Sequence, residues 1–209
     1  MAGNKKSLAK SASAEFIERK SRFIGHAAPV SDEEAAQAFI RAKKAEFSDA
    51  THNVWAYTLR GGAVARCFDD GEPQGTAGLP VLDILRKSGL DDSAVVVTRY
   101  FGGILLGAGG LVRAYQAAAA AAVDAAGIAV WTPFALFSLT ANYSDYQKLV
   151  YELPRMGALI ESEDFGAEVA LTLAAEASAL DAVRERVLAL TNGKSVIDII
   201  GEELRPRTG

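Results

Sequence analysis

Two α+β domains are what this 209-residue sequence predicts, and three observations predict them. Runs of alternating or continuous β-branched and aromatic residues recur between stretches with helical apolar spacing. A proline at 133 stands between two apolar runs. The charge also changes character along the chain: residues 1–136 carry 15 Lys+Arg and 14 Asp+Glu, whereas residues 137–209 carry 7 and 12. A chain of this length buries a real core as one large or two small domains. The boundaries drawn on these grounds are 1–132 and 136–205.

In the first domain, residues 15–17 and 21–29 read as strands rich in Phe and Ile. Ser31 and Glu34 have the spacing of a capping box, in which hydroxyl and carboxylate satisfy each other's backbone amides, so a helix should run from there to about Phe47. Residues 52–60 and 63–68 form two strands joined by Gly61-Gly62, a pair that accepts the positive φ of a tight hairpin. Asp69-Asp70-Gly71-Glu72-Pro73 is a turn by its chemistry. A short helix over 79–87 has Pro80 in its first turn. Val95, Val96 and Val97 in succession mark residues 94–101 as a strand covered on both faces. After a glycine-rich loop, residues 111–126 form an alanine-dominated helix about 24 Å long at 1.5 Å per residue. Its small side chains allow close approach to a sheet.

The second domain reads as strand 136–143, helix 145–156, strand 158–162, strand 168–174, helix 179–190 and strand 195–204. Gly157 and Gly193 fall where helix C-caps belong. Strand–helix–strand repeated over such a length is the ferredoxin-like order, βαββαβ.

Composition excludes several classes. Half of the residues are hydrophobic and 23% are charged, so the chain is not disordered. A net charge of -4 argues against a generally basic nucleic-acid coat while leaving room for a local basic site. One cysteine and two histidines supply neither a disulfide framework nor a histidine–cysteine zinc cage, and no metal or other cofactor is expected. The uncharged stretch 125–144 is broken by Gly127 and Pro133 and is too polar for the roughly 20 apolar residues of a membrane span. The expected location is the cytoplasm, without a secretory signal.

Glycine concentrates in DDGEPQGTAG (69–78) and TRYFGGILLGAGGLVRAY (98–115). Such clusters form where backbone approaches backbone or a ligand. Gly107 to Gly110 precede the alanine-rich helix, so free amides there suit an anion. Neither GxxxxGK[ST] nor an in-register GxGxxG is present. A helix terminus contributes about 0.3–2 kcal/mol to an anion, against roughly 4 kcal/mol for millimolar affinity. Arg99 and Arg113 are the residues to supply the remainder, with Tyr100, Gly109, Gly110, Lys20 and Arg22 completing an anion- or RNA-binding set. The competing reading pairs Arg99 and Arg113 with Asp69, Asp70 or Glu72 as a structural clasp. Those three carboxylates form either a magnesium site or a plain turn. His52 is either a general base or a structural histidine, and Cys67 reads as a small buried hydrophobe. The basic residues Lys5, Lys6 and Lys10 belong either to a phosphate contact or to a solvated tail.

Four blocks in order carry a resemblance: KSRFIG (20–25), DATHNVWAY (49–57), DDGEPQGTAGLPVL (69–82) and VVVTRYFGGILLGAGGLVRAY (95–115). They resemble the YigZ/IMPACT family. The resemblance implies an N-terminal domain folded like the second domain of ribosomal protein S5, a sheet with two or three helices. It also implies a ferredoxin-like C-terminal domain resembling one of a translocating elongation factor. In function it implies control of translation: the eukaryotic branch moderates the starvation response through a protein partner, and bacterial members are suspected to bind nucleic acid or ribosomes. By motif the resemblance points to His52, Asp69, Asp70, Glu72, Thr76, Arg99, Tyr100, Gly109, Gly110 and Arg113. The chain departs from the pattern at Phe47, near where many relatives show histidine, and at Val54, where cysteine is frequent.

The first expectation is therefore a non-enzymatic, translation-associated protein with a stress-response role that contacts RNA, the ribosome or a translation-related protein, and no membrane. An enzyme acting on a phosphorylated small molecule or nucleotide is the alternative. A third reading is an adaptor whose acidic second domain docks a basic partner.

Overall fold

The computed structural model describes residues 5–206 and contains ten strands and five α-helices among them. The fold is mixed α and β with antiparallel sheets, and the chain divides into two compact units at Trp131.

In the first unit, Lys5–Val130, β1 (Lys5–Leu8) is followed by β2 (Ala12–Glu18) and β3 (Ser21–Pro29). Then come α1 (Glu33–Glu46), β4 (His52–Leu59), β5 (Val64–Phe68), α2 (Gly78–Lys87), β6 (Ser93–Tyr100) and α3 (Gly107–Ala126). The sheet order is β2-β3-β6-β4-β5, antiparallel throughout. Strand β6 is central, and alternate residues serve two cores. Val95 and Val97 pack with α2 and α3, whereas Ala94 and Val96 pack with α1. The valine run is buried on both faces for that reason.

Helix α3 lies very close to the sheet. A Cβ at Gly25 would fall 2.3 Å from the Ala118 carbonyl oxygen and 2.9 Å from Ala122 Cβ, so only glycine facing alanine permits this approach. Ala114, Ala118, Ala119 and Ala122 are all buried there.

Several local expectations give way to geometry. Helix α1 is capped by Asp32, not Ser31: the Asp32 carboxylate accepts from the Ala35 amide at 2.8 Å, and the Ser31 hydroxyl donates to Asp32. A carboxylate is the stronger acceptor at a helix N-terminus. Helix α3 begins at Gly107, so the glycine run forms its first turn instead of preceding it. Lys5–Leu8 is a strand and not a solvated tail, because Leu8 is buried, Lys5 pairs with Asp92, and the Lys6 carbonyl accepts from the Asp91 amide. Residues 1–4 of the first predicted domain lie outside the described residues.

The second unit begins within β7 (Ile128–Ala141) and continues with α4 (Tyr143–Glu152), β8 (Leu159–Phe165), β9 (Val169–Glu176), α5 (Leu180–Leu190) and β10 (Asp198–Pro206). Its strands are ordered β10-β7-β9-β8, with every neighbour antiparallel. Strand β7 is continuous through Pro133, the residue that separates two apolar runs in the sequence. Pro133 sits opposite Leu204 of β10 and precedes the first pairing with β9 at Phe134, so one side of the strand asks no amide of it. Leu149, Leu153, Val183 and Val187 from the helical segments meet Phe137, Leu139, Leu171 and Leu173 of the sheet.

Candidate functional site

The site is assembled at one end of the first unit's sheet, where β4 and β6 present His52 and Arg99 in direct register. Arg99, next to last in β6, is 5% exposed. Its Nη1 donates to Glu72 Oε1 at 2.5 Å, and the Tyr115 hydroxyl donates to the same oxygen at 2.8 Å. The guanidinium lies 5.4 Å from the ring centres of both Phe23 and Phe101, a geometry that suits a desolvated cation. Burial, together with the Glu72 carboxylate, pushes the Tyr115 hydroxyl far above its ordinary pKa, so it remains a donor. Arg99 Nε has no hydrogen bond among the described residues.

Glu72 reaches this position because the turn before it is tied down. Asp69 accepts three backbone amides, from Gly75 (2.9 Å), Ala77 (3.1 Å) and Gly78 (2.7 Å). The last two begin α2, so Asp69 caps a helix whose own N-cap residue, alanine, lacks a side-chain acceptor. Asp70 accepts from the Asn53 amide and the Lys44 ammonium, both at 2.7 Å. Thr76 donates to the Pro73 carbonyl at 2.6 Å. His52 Nδ1 donates to the Asp70 carbonyl at 2.8 Å, since a carbonyl only accepts; Nε2 then stands 3.8 Å from Glu72 Oε1.

The predicted residues separate into three groups. His52, Glu72 and Arg99 line one pocket of about 400 Å³ with Thr51, Phe101, Leu105, Leu106, Gly107 and Leu111. Asp69, Asp70 and Thr76 form the turn behind it and are occupied by backbone and Lys44. Among the described residues no group of three His, Cys, Asp or Glu side chains could hold a metal ion. Lys20, Arg22 and Arg113 are exposed; a Cβ at Gly109, in the first turn of α3, would lie 3.6 Å from Arg113 Nη1, and Gly110 follows it. Arg22 pairs with Glu15 and lies over Tyr100, whose hydroxyl donates to Asp49. The clasp reading thus describes Arg99, and Arg113 stands apart from it.

The loop between β6 and α3 is moored on both sides. The Gly102 amide donates to Ser21 Oγ, and the Phe101 amide donates to Thr51 Oγ1. A Cβ at Gly102 would lie 2.1 Å from the Lys20 backbone, so this contact requires glycine. Beyond the moorings, Phe101 (45%), Ile104 (39%) and Leu105 (82%) are exposed. Sequence reasoning does not single out Tyr115, Phe101 or Leu105. The one signal for Tyr115 is a bulky phenol on the buried stripe of an otherwise alanine-lined helix.

Comparison with known proteins gives two domain matches: the Impact N-terminal domain over residues 19–123 and a domain of unknown function (DUF1949) over residues 139–194. The chain is 39% identical to the IMPACT family member YvyE of Bacillus subtilis, over 88% of this chain and 85% of that one. It is 37% identical to the IMPACT family member YigZ of Escherichia coli, over 77% and 80%. Protein IMPACT-A of Xenopus tropicalis is 34% identical over 44% of this chain and 30% of its own length. A solved structure titled "Crystal structure of an hypothetical protein" matches with a TM-score of 0.61 at 31% identity, over 96% of this chain and 99% of that one.

Proposed function

This chain belongs to the IMPACT family, and on that premise we propose that it is a translation-associated regulatory binding protein whose first unit contacts ribosomal RNA. The observation that carries the reading is the surface around the β6–α3 loop. Phe101, Ile104 and Leu105 are exposed between two cations with no ion-pair partner among the described residues. Lys20 flanks the loop through its backbone contact with Gly102, and Arg113 flanks it over Gly109. Aromatic and apolar groups set among Lys and Arg suit stacking on unpaired bases while the cations meet phosphate. Arg99 and Glu72 support this surface from below and do not reach the phosphate.

The finer architectural reading belongs to the same proposal. Within the boundary 1–132, the described residues form the domain like the second domain of ribosomal protein S5, a reading supported by a five-stranded sheet with helices on both faces. Residues 136–205 form the ferredoxin-like domain, supported by the strand order β10-β7-β9-β8. Among the described residues no helix is long and apolar enough to cross a membrane.

The test is sedimentation of the purified chain with ribosomal fractions, with and without ribonuclease. Ribonuclease-sensitive co-sedimentation that weakens in Lys20→Ala/Arg113→Ala is the expected result. Association that survives ribonuclease and ignores those substitutions would assign the partner to protein and overturn the RNA surface.

A further inference from the structure

We infer that the pocket between β4, β6 and the start of α3 is a binding site for a small organic anion with an apolar body and a hydroxyl next to its acidic group. The pocket shares Phe101 and Leu105 with the proposed RNA surface, but its polar lining, His52, Glu72 and the start of α3, belongs to the pocket, and a small-molecule titration without RNA reads it separately.

Size and lining set the class. About 400 Å³ lies within the range of small-molecule sites, and Phe101, Leu105, Leu106 and Leu111 give it apolar walls. Two polar features converge on it. The first is the unused ring nitrogen of His52, since Glu72 Oε1 already accepts from Arg99 and Tyr115. His52 Nδ1 is committed to the Asp70 carbonyl, which leaves Nε2 of the neutral ring as an acceptor. It faces a second acceptor, Glu72 Oε1, at 3.8 Å, with no hydrogen bond between them. A ligand hydroxyl satisfies this arrangement by donating to Nε2. Glu72 is itself neutralised by buried Arg99 and cannot repel an anion as a free carboxylate would.

The second feature is the opening turn of α3. Gly107 and Ala108 line the pocket, Leu106 at the N-cap offers no side-chain acceptor, and the first turn holds no acidic residue. The first-turn amides of a 20-residue helix therefore point outward uncapped, with the Arg113 guanidinium alongside at Gly109. The buried Arg99 Nε without a partner shows that the cluster does not satisfy itself. A carboxylate or phosphate at the helix, a hydroxyl at His52 and a hydrocarbon group against Phe101 and Leu105 complete the set.

The experiment is an amide chemical-shift titration of the full chain with mandelate, which carries all three features. Phenylacetate, lacking the hydroxyl, and benzyl alcohol, lacking the carboxylate, serve as the comparison probes. Saturable shifts at Gly107 and Ala108 are expected, with mandelate binding at least threefold tighter than either comparison probe. Leu105→Glu places a carboxylate at an 82% exposed position on the pocket wall, where it leaves the fold intact, and should weaken mandelate at least threefold. Equal affinities for the three probes, shifts centred elsewhere, no saturation by about 10 mM, where the pocket would gain less than roughly 3 kcal/mol, or an unaffected Leu105→Glu would each overturn the inference.

Discussion

Removing either partner of the Arg99–Glu72 pair should be far more damaging than removing both. The two side chains are 6% and 4% exposed, and Glu72 also holds the Tyr115 hydroxyl. Glu72→Gln leaves a buried guanidinium between two phenyl rings without a counter-charge. Arg99→Met leaves a buried carboxylate with the Tyr115 phenol as its hydrogen-bond donor and the His52 ring at 3.8 Å. Breaking such a pair from one side costs about 3–5 kcal/mol, whereas replacing both charges by apolar groups of similar volume is often near neutral. The double variant Arg99→Met/Glu72→Met strands only the Tyr115 hydroxyl, at a cost of about 1–3 kcal/mol. Urea unfolding of the three variants, followed by far-ultraviolet circular dichroism, gives the coupling free energy directly. A double variant less destabilised than either single one is the predicted pattern. Additive losses, or single variants costing under about 1 kcal/mol, would refute the claim that this pair is desolvated and mutually dependent.

Two further perturbations probe the frame of the site. Burial, reinforced by the Lys43 ammonium and opposed by Glu46, lowers the His26 pKa to about 4. The unfolded chain then binds the extra proton between pH 6.5 and 4, so stability should fall as pH drops through that window, and His26→Gln should flatten the dependence in urea titrations. Asp69→Ala removes the acceptor of three amides at the start of α2 and should destabilise the first unit by about 2–3 kcal/mol, with hydrogen exchange accelerated first at Gly75, Ala77 and Gly78.

Much of the frame is legible in the residues because local chemistry decides it. Val95 to Val97 announce a strand with two covered faces, Gly61-Gly62 takes positive φ at the β4–β5 hairpin, and Gly157 adopts the left-handed conformation. What stays hidden depends on partners distant in sequence. Ser31 and Asp32 are both plausible caps, and only the path of the chain selects the carboxylate. Pro133 resembles a break until β10 and β9 show which side of β7 needs its amide. Gly25 looks like any glycine in a strand until Ala118 arrives against it.

The site shows the same division. Glycine density and the DDGEP turn mark segments that fold to one pocket, which His52, Glu72 and Arg99 line. Sequence leaves open whether Arg99 faces solvent or a carboxylate, because that depends on where the turn carrying Glu72 folds back across β4 and β6. Tyr115 is a single phenol among alanines, and nothing local says that its hydroxyl ends on Glu72.

The salt dependence of the equilibrium affinity for a single-stranded ribosomal RNA fragment, measured on the purified chain and on Lys20→Ala/Arg113→Ala, tests the functional account most directly. Removing two cations that neutralise phosphate should make the slope of log K against log salt shallower by roughly 1.4 and lower affinity at low salt. Identical slopes and affinities for the two proteins, with the fold unchanged, would contradict it.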